Sequence, residues 1–245
     1  MIVKKIIDGI KSKRLLDLKH IIIEIALIFT GITLAANYNE YQNDVQDEKF
    51  LKEIITQIHT QVIEDQKFNI KSVEFQEKAI VNYQNLIKNI KEKNISEINS
   101  DQSKMTVSNM TNYFNNANNT FGYNKLKDKN LNLIKNQKLK FQLSNYYEMM
   151  DKLMSDIKIY DEDKKELKPF IFKYFKNYDY YNNNYDAFTN VDEMAKDDVF
   201  INTIYYVISD YKINIDSFKE VGIPTSKKLV TALEKEFKFL KDKNN

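Results

Sequence analysis

The stretch Ile21–Ala36, IIIEIALIFTGITLAA, decides the architecture of this chain. It is mostly apolar, and three leucines within residues 15–18 lengthen the apolar run on its amino side. A helix needs about 20 such residues to cross a bilayer core about 30 Å thick. The run therefore predicts one transmembrane helix over residues 19–37, with membrane lipid as its partner.

Flanking residues set the boundaries and the direction of this helix. Lys19 and His20 at its start and Tyr38 at its end are expected to anchor it at the two membrane interfaces. Because cytoplasmic flanks are rich in Lys and Arg, residues 1–18 are predicted to be a cytoplasmic tail. The remaining chain then lies outside the cytoplasm, at the inner membrane of a bacterium. The tail carries Lys4, Lys5, Lys11, Lys13 and Arg14, whereas Glu40, Asp44, Asp47 and Glu48 follow the helix.

Two other interpretations of the apolar run stay open. A cleaved signal peptide would explain the small residues of Thr33–Ala36, but Glu24 and the long basic tail count against it. A buried helix of a soluble protein would explain a run shorter than about 18 uninterrupted apolar residues. The all-round hydrophobicity of residues 25–36, with a charge step across them, favours the membrane helix.

Glu24, Gly31 and Ala35 are the candidate contact residues within the span. An ionisable group in a membrane is costly unless it is paired or hydrated. Glu24 therefore either pairs with Lys19 or His20 near the cytoplasmic interface or makes a polar contact between the helices of an oligomer. Gly31 and Ala35 form a pair of small residues four positions apart, which lets two helices approach closely.

Composition excludes several kinds of chemistry. The 245 residues include no cysteine, so disulfides, thiolate metal sites and thiol nucleophiles are absent. The net charge of +2 gives no field that would attract nucleic acid. The two histidines, His20 and His59, lie far apart, and four isolated glycines cannot form a phosphate-binding loop. We therefore predict no catalytic residue, cofactor or metal.

The scarcity of helix-breaking residues predicts an all-α fold. Only four glycines and two prolines occur, and none falls between Gly31 and Gly122. Apolar residues from Leu51 to Ile90 follow helical spacing, so the transmembrane helix is expected to continue into a long amphipathic helix. An interruption near Asn69 is left open. Residues 94–105 read as a polar loop.

An apolar seam with a seven-residue repeat marks the next long helix, predicted over residues 131–165. An antiparallel bundle within one chain explains the seam, and a dimeric coiled coil is the alternative. A short aromatic helix over residues 170–178, a helix starting at Asp197 and Asp198, and a final helix after Pro224 complete the bundle. The seam consists of Leu139, Leu143, Tyr146, Met150, Leu153 and Ile157.

These elements predict a division into four segments. Residues 1–18 form the cytoplasmic tail, 19–37 the transmembrane helix, 38–93 a stalk-like amphipathic helix, and 94–245 an extracytoplasmic antiparallel helical bundle.

Two motifs resemble an uncharacterised bacterial family of single-pass membrane proteins. The first is Glu24-Ile-x-Leu-Ile-x-x-Gly31-Ile-x-Leu-Ala35, followed by Asn37-x-Asn39-Glu40 and Phe50-Leu51, with Tyr38 where the family has tryptophan. The second is Thr120-Phe121-x-x-x-Lys125-Leu126, then Leu131-x-Leu133-Ile134-x-Asn136, without the family's Ser-Ser-Gly turn. The resemblance implies a membrane anchor with its domain outside the cytoplasm. It implies no reaction.

Three functions fit these observations. The first is a non-enzymatic interaction, scaffold or sensor module, either as a homo-oligomer or with another protein partner. The second is a carboxylate-based hydrolase or carbohydrate-acting enzyme with an aromatic-lined pocket, for which the aromatic residues of 170–181 are candidates if they do not form core. The third is an oligomeric pore in which Glu24 faces water.

Overall fold

The computed structural model describes the backbone of residues 2–110, 120–163, 169, 173–176, 187–188 and 190–241, and the side chains of residues 20–110, 120–129, 131–158, 169, 173–176 and 190–241. The fold is all-α, as predicted. Its helices are α1 (Ile2–Lys91), α2 (Ile95–Ile98), α3 (Asp101–Asn109), α4 (Phe121–Asn130), α5 (Gln137–Asp163), α6 (Val191–Met194), α7 (Asp198–Ser217) and α8 (Ile223–Glu236). A π-helical turn, Phe218–Gly222, joins α7 to α8.

Helix α1 continues through Asn69, where an interruption had been left open, because no proline or glycine follows Gly31 before its end. Lys93 ends it in the left-handed region with a φ of 56°. The Asn94 N–H donates to the Asn89 carbonyl, and the Lys93 N–H donates to the Ile90 carbonyl. This pair of hydrogen bonds is the Schellman arrangement, which satisfies carbonyls that a helix end leaves unpaired.

The chain divides into two compact units, Met1–Glu53 and Ile54–Asn245. The second unit includes residues 54–91 of α1, so part of the segment predicted as a stalk contributes to the bundle. An apolar cluster within it joins α1 to α3, α6 and α7. Tyr83 of α1 and Tyr211 of α7 belong to this cluster, with ring centroids 5.8 Å apart.

The run from α7 through the π-helical turn to α8 is antiparallel to α1. Contacts between the two pair late residues of one with early residues of the other. They are Lys91 over the Tyr205 ring at 6.0 Å, Tyr83 beside Tyr211, Glu77 with Lys219 at 2.6 Å, and His59 with Glu234 at 3.0 Å. Helix α5 packs against the same run, and all six seam residues are buried within the chain itself.

The start of α7 is capped as predicted. The Asp197 carboxylate accepts a hydrogen bond from the Phe200 N–H at 3.0 Å, and it also accepts from Lys173 Nζ at 2.7 Å and the Tyr174 hydroxyl at 2.5 Å. The Lys173 ammonium, the Tyr174 hydroxyl and the Phe200 N–H together hold the pKa of Asp197 well below its usual range.

Some predicted elements were wrong in detail. Residues 94–105 contain α2 and the start of α3, because Asn94 and Ser100 are helix N-caps. The polar composition of these short helices had suggested a loop. Helix α5 begins at Gln137 rather than at residue 131, after a 3₁₀ turn at Leu131–Leu133. Phe175–Lys176 pairs antiparallel with Ala187–Phe188 instead of forming helix. Of the aromatic residues in 170–181, Tyr174 and Phe175 are buried and the others lie outside the described residues.

Candidate functional site

The predicted contact residues of the span lie together on one exposed face of α1. Spacings of seven and four residues place Glu24, Gly31 and Ala35 within an arc of about 40°, and all three are exposed. Apart from its chain neighbours and the adjacent backbone of α1, no described atom lies within 4 Å of a Cβ placed on Gly31. His20 and Tyr38 are exposed as well, and the side chain of Lys19 is outside the described set. Their roles as contacts and anchors stay predictions.

The apolar residues around them are also exposed. Leu27, Phe29 and Leu34 each present more than 60% of their surface, and no residue of this window is buried. Among the described residues, α1 is the one helix long and apolar enough to cross a membrane.

A polar stripe interrupts the interior of the bundle. Positions of α1 spaced by seven residues are all fully buried, and the two in the middle are Asn69 and Gln76. Asp65, four residues before Asn69, and Ser72, four residues before Gln76, are buried as well. The six positions are Ile55, Val62, Asn69, Gln76, Tyr83 and Ile90.

Asp65 is the chemically distinctive member of this stripe. Its carboxylate accepts a hydrogen bond from the Tyr146 hydroxyl of α5 at 2.8 Å and another from the Gln61 amide at 3.0 Å. Burial raises the pKa of Asp65, and these two hydrogen bonds partly oppose the rise. The pKa values of Tyr146 and the adjacent Tyr147 are raised too, by burial first and by the Asp65 charge second.

The side-chain amides of Asn69, Gln76 and Asn214 form no hydrogen bond with any described residue. A Cβ placed on Gly222, at the end of the π-helical turn, would lie 3.0 Å from Asn69 Nδ2 and 3.3 Å from Leu153 Cδ2. Glycine thus lets α5, α1 and the π-helical turn meet closely. π-Helical turns often occur at functional positions, but this one faces a filled interior.

An open groove lies between α5 and α8. We call it the basic groove; its volume is about 500 Å³. Leu139 and Ala232 contribute apolar surface, and the exposed Phe141 lies in a smaller adjoining recess. The basic groove is lined by four lysines, Lys138, Lys227, Lys228 and Lys235. Its one carboxylate, that of Glu236, accepts a hydrogen bond from the Asn136 amide at 2.7 Å.

His59 and Glu234 form a separate polar contact near this groove. Nε2 of the buried His59 lies 3.0 Å from Glu234 Oε1. In the part of the chain that the structure describes, no three His, Asp or Glu side chains gather as a metal site requires. The contact therefore joins α1 to α8 and gives no metal centre.

No protein-family model, no curated protein and no solved structure matches this chain. The resemblance to a bacterial membrane-protein family therefore stays a prediction from its two motifs.

The exposed apolar segment was predicted from the sequence, whereas the polar stripe and the basic groove were not. The sequence does contain a signal for the polar stripe, because Asn69 and Gln76 continue the seven-residue spacing of Ile55 and Val62. The groove had no such signal, because its lysines come from two helices that are distant in the chain.

Proposed function

We propose that this chain is a single-pass membrane protein whose helical bundle is a non-enzymatic interaction module, a scaffold or a sensor. The anchor would lie in the inner membrane of a bacterium, with residues 1–18 in the cytoplasm and the bundle outside. The observation that carries the proposal is the wholly exposed apolar window within His20–Lys91, near its amino end.

Water is a poor solvent for that window. Each Å² of apolar surface removed from water contributes about 25 cal/mol, and Leu27, Phe29 and Leu34 are among many side chains that leave this gain unused in the lone chain. A core helix of a soluble protein would bury them. Lipid supplies the missing apolar surroundings, and the charge difference between the two flanks supports the proposed direction.

The bundle favours binding over catalysis. Hydrolysis by carboxylates ordinarily needs two of them across a substrate site. Two carboxylates are buried among the described side chains, Asp65 of α1 and Asp210 of α7, and neither lines the basic groove. Asp65, whose pKa burial raises, is hydrogen-bonded to Tyr146 inside the bundle. The basic groove, in contrast, is open to solvent and offers cations beside apolar surface, so it can bind an acidic partner through charge complementarity.

Membrane extraction and protease access test this proposal together. The full chain, tagged at both ends, is expected to stay in the pellet after alkaline washing. In spheroplasts, added protease should remove the carboxy-terminal tag and spare the amino-terminal one. An intact mass that lacks residues 1–36 would instead establish a cleaved signal peptide, and a protected carboxy-terminal tag would reverse the proposed direction.

A further inference from the structure

We propose that the basic groove binds one amphipathic helix of a partner protein. The side of that helix that enters the groove carries carboxylates toward one end and apolar side chains toward the other. This binding presupposes the interaction function proposed above and specifies the chemistry of the partner. The shape, the residue spacing and the charge of the groove each match such a helix.

Helices α5 and α8 form the two walls of the groove and run antiparallel. The amide of Asn136, just before α5, donates to the carboxylate of Glu236, the last residue of α8, at 2.7 Å. At the other end, Met149 of α5 and Thr225 of α8 line the same adjoining recess. The groove therefore follows two neighbouring helices along their length, and an amphipathic helix can lie in such a groove.

Four of the lining residues on each wall repeat with the spacing of a helix seam. They lie at positions i, i+4, i+7 and i+11, within an arc of about 60° and over about 16 Å of helix axis. Alternating steps of four and three residues are the pattern by which one helix contacts another in a coiled coil. The seam on α5 runs from Lys138 to Met149. The seam on α8 consists of Pro224, Lys228, Thr231 and Lys235.

Charge is distributed unevenly along these two seams. Lys138 and Lys235 flank the end of the groove near Asn136, and Lys228 lies farther along α8. All three lysines are exposed, and none of them makes an ion pair with a described residue. The adjoining recess contains Met149 and Phe141, which exposes 71% of its surface. One end of the groove therefore attracts carboxylates, and the other offers apolar contact.

This combination favours an amphipathic helix over a simple polyanion. Single exposed ion pairs contribute little, so the lysines set the direction of the bound helix and the apolar contacts supply much of its affinity. A phosphate polymer has no apolar groups to place against Phe141 and Met149. A partner helix with carboxylates and apolar side chains on one side uses both parts of the groove.

Selection from a display library tests the chemistry of the partner, with the full-length chain in lipid nanodiscs as the target. The displayed helices have about 15 residues, a length of about 22 Å, and vary among Glu, Lys, Gln, Leu and Phe at their seam positions. We expect enriched helices to carry Glu at one end of the seam and Leu or Phe at the other. Enriched seams without this order, or equal enrichment on a K228E/K235E chain, would overturn the proposal.

Charge exchange measures what the lysines contribute. An enriched helix labelled with fluorescein is titrated with each chain and followed by fluorescence anisotropy. We expect K228E/K235E to weaken binding about tenfold or more, because two attractions become repulsions. The same helix with Lys in place of Glu should prefer K228E/K235E to the natural chain. K88E/K212E changes the charge equally at exposed positions outside the groove and should bind like the natural chain. Equal weakening by both variants would contradict binding in the groove.

Removal of an exposed ring distinguishes the helix from a polyanion. F141A leaves the core intact, because Phe141 is largely exposed, and should weaken binding of the enriched helix about fivefold or more. Inorganic polyphosphate, used as a competitor, should displace the helix poorly. An F141A chain that binds the helix like the natural chain, or polyphosphate that displaces it as well as the unlabelled helix does, would make the groove a general anion site and overturn the proposal.

Crosslinking locates the bound helix. Because the chain has no cysteine, T231C provides one thiol midway along the α8 seam, and we expect it to form a disulfide with a cysteine at the centre of the helix. S209C, at an exposed position of α7, is the matched control, and equally efficient disulfide formation there would overturn the proposed place of binding. Alkaline extraction of the same chains reports the anchor separately. Loss of helix binding with an intact anchor therefore refutes only the partner helix.

Discussion

Helix α1 has two parts, residues 21–36 and 54–91, that differ in the burial of their apolar side chains. Between Ile21 and Ala36 the helix is rich in apolar residues, and they are exposed on every side. Between Ile54 and Lys91 a smaller share of the residues is apolar, yet those that follow the helical repeat are buried, and even the polar Asn69 and Gln76 are enclosed. Apolar content and burial thus diverge along one helix, as the proposed membrane span requires.

The largest effect is expected from charges placed in the first part. F29R/I32R should release the chain from membranes, because two arginines at the centre of a span cost about 5–7 kcal/mol. The measurement is the fraction of protein in the pellet after alkaline washing. I70R/V81R is the matched control, since it places the same charges at exposed positions of the second part. Equal retention of both variants would contradict the assignment of the first part to the membrane.

Removal of a buried ring should affect only the second part. Tyr83→Ala deletes a fully buried side chain beside Tyr211 and should lower the free energy of unfolding of the bundle by about 3–5 kcal/mol. Tyr38→Ala removes the same atoms from a residue that is 63% exposed and should leave bundle unfolding unchanged. Urea denaturation followed by circular dichroism compares them, and equal losses would show that Tyr38 also packs in the bundle.

Features that depend on one helix alone could be predicted from the sequence, whereas features that depend on the packing of several helices could not. Long helices followed from the scarcity of glycine and proline, and the α5 seam followed from spacing, because both depend on local patterns. The prediction of a polar loop at residues 94–105 was wrong, since Ser100 caps a helix there. The basic groove and the Asp65–Tyr146 hydrogen bond depend on which helices pack together, which spacing along one helix does not encode.

Alanine substitutions at two glycines test how closely other elements approach the first part of α1, at Gly31, and the second, at Gly222. Gly222→Ala should destabilise the bundle, because strain of about 1–3 kcal/mol against Asn69 and Leu153 exceeds the helix-propensity gain of about 0.5–1 kcal/mol. Gly31→Ala meets no neighbour and should leave bundle unfolding unchanged. Thermal unfolding distinguishes the two, and a stabilised Gly222→Ala variant would mean that the three elements do not meet closely at this turn.

The smallest expected effect is a pH dependence that only the second part should show. Burial raises the folded-state pKa of Asp65 above its unfolded value. The folded state therefore binds the proton more tightly, and this contribution to stability is full below about pH 4. This contribution is lost as the pH rises through the folded-state pKa of Asp65.

The Asp65→Asn variant stays neutral, and its amide oxygen can still accept a hydrogen bond from Tyr146. The difference in unfolding free energy between Asp65→Asn and the natural bundle should therefore grow over that pH interval. Glu24→Gln, in the exposed first part, should unfold at every pH like the natural bundle. The prediction fails if the difference in unfolding free energy between Asp65→Asn and the natural bundle stays constant or shrinks as the pH rises. Either result would show that the Asp65 carboxylate is better solvated or better paired than its buried position between Gln61 and Tyr146 implies.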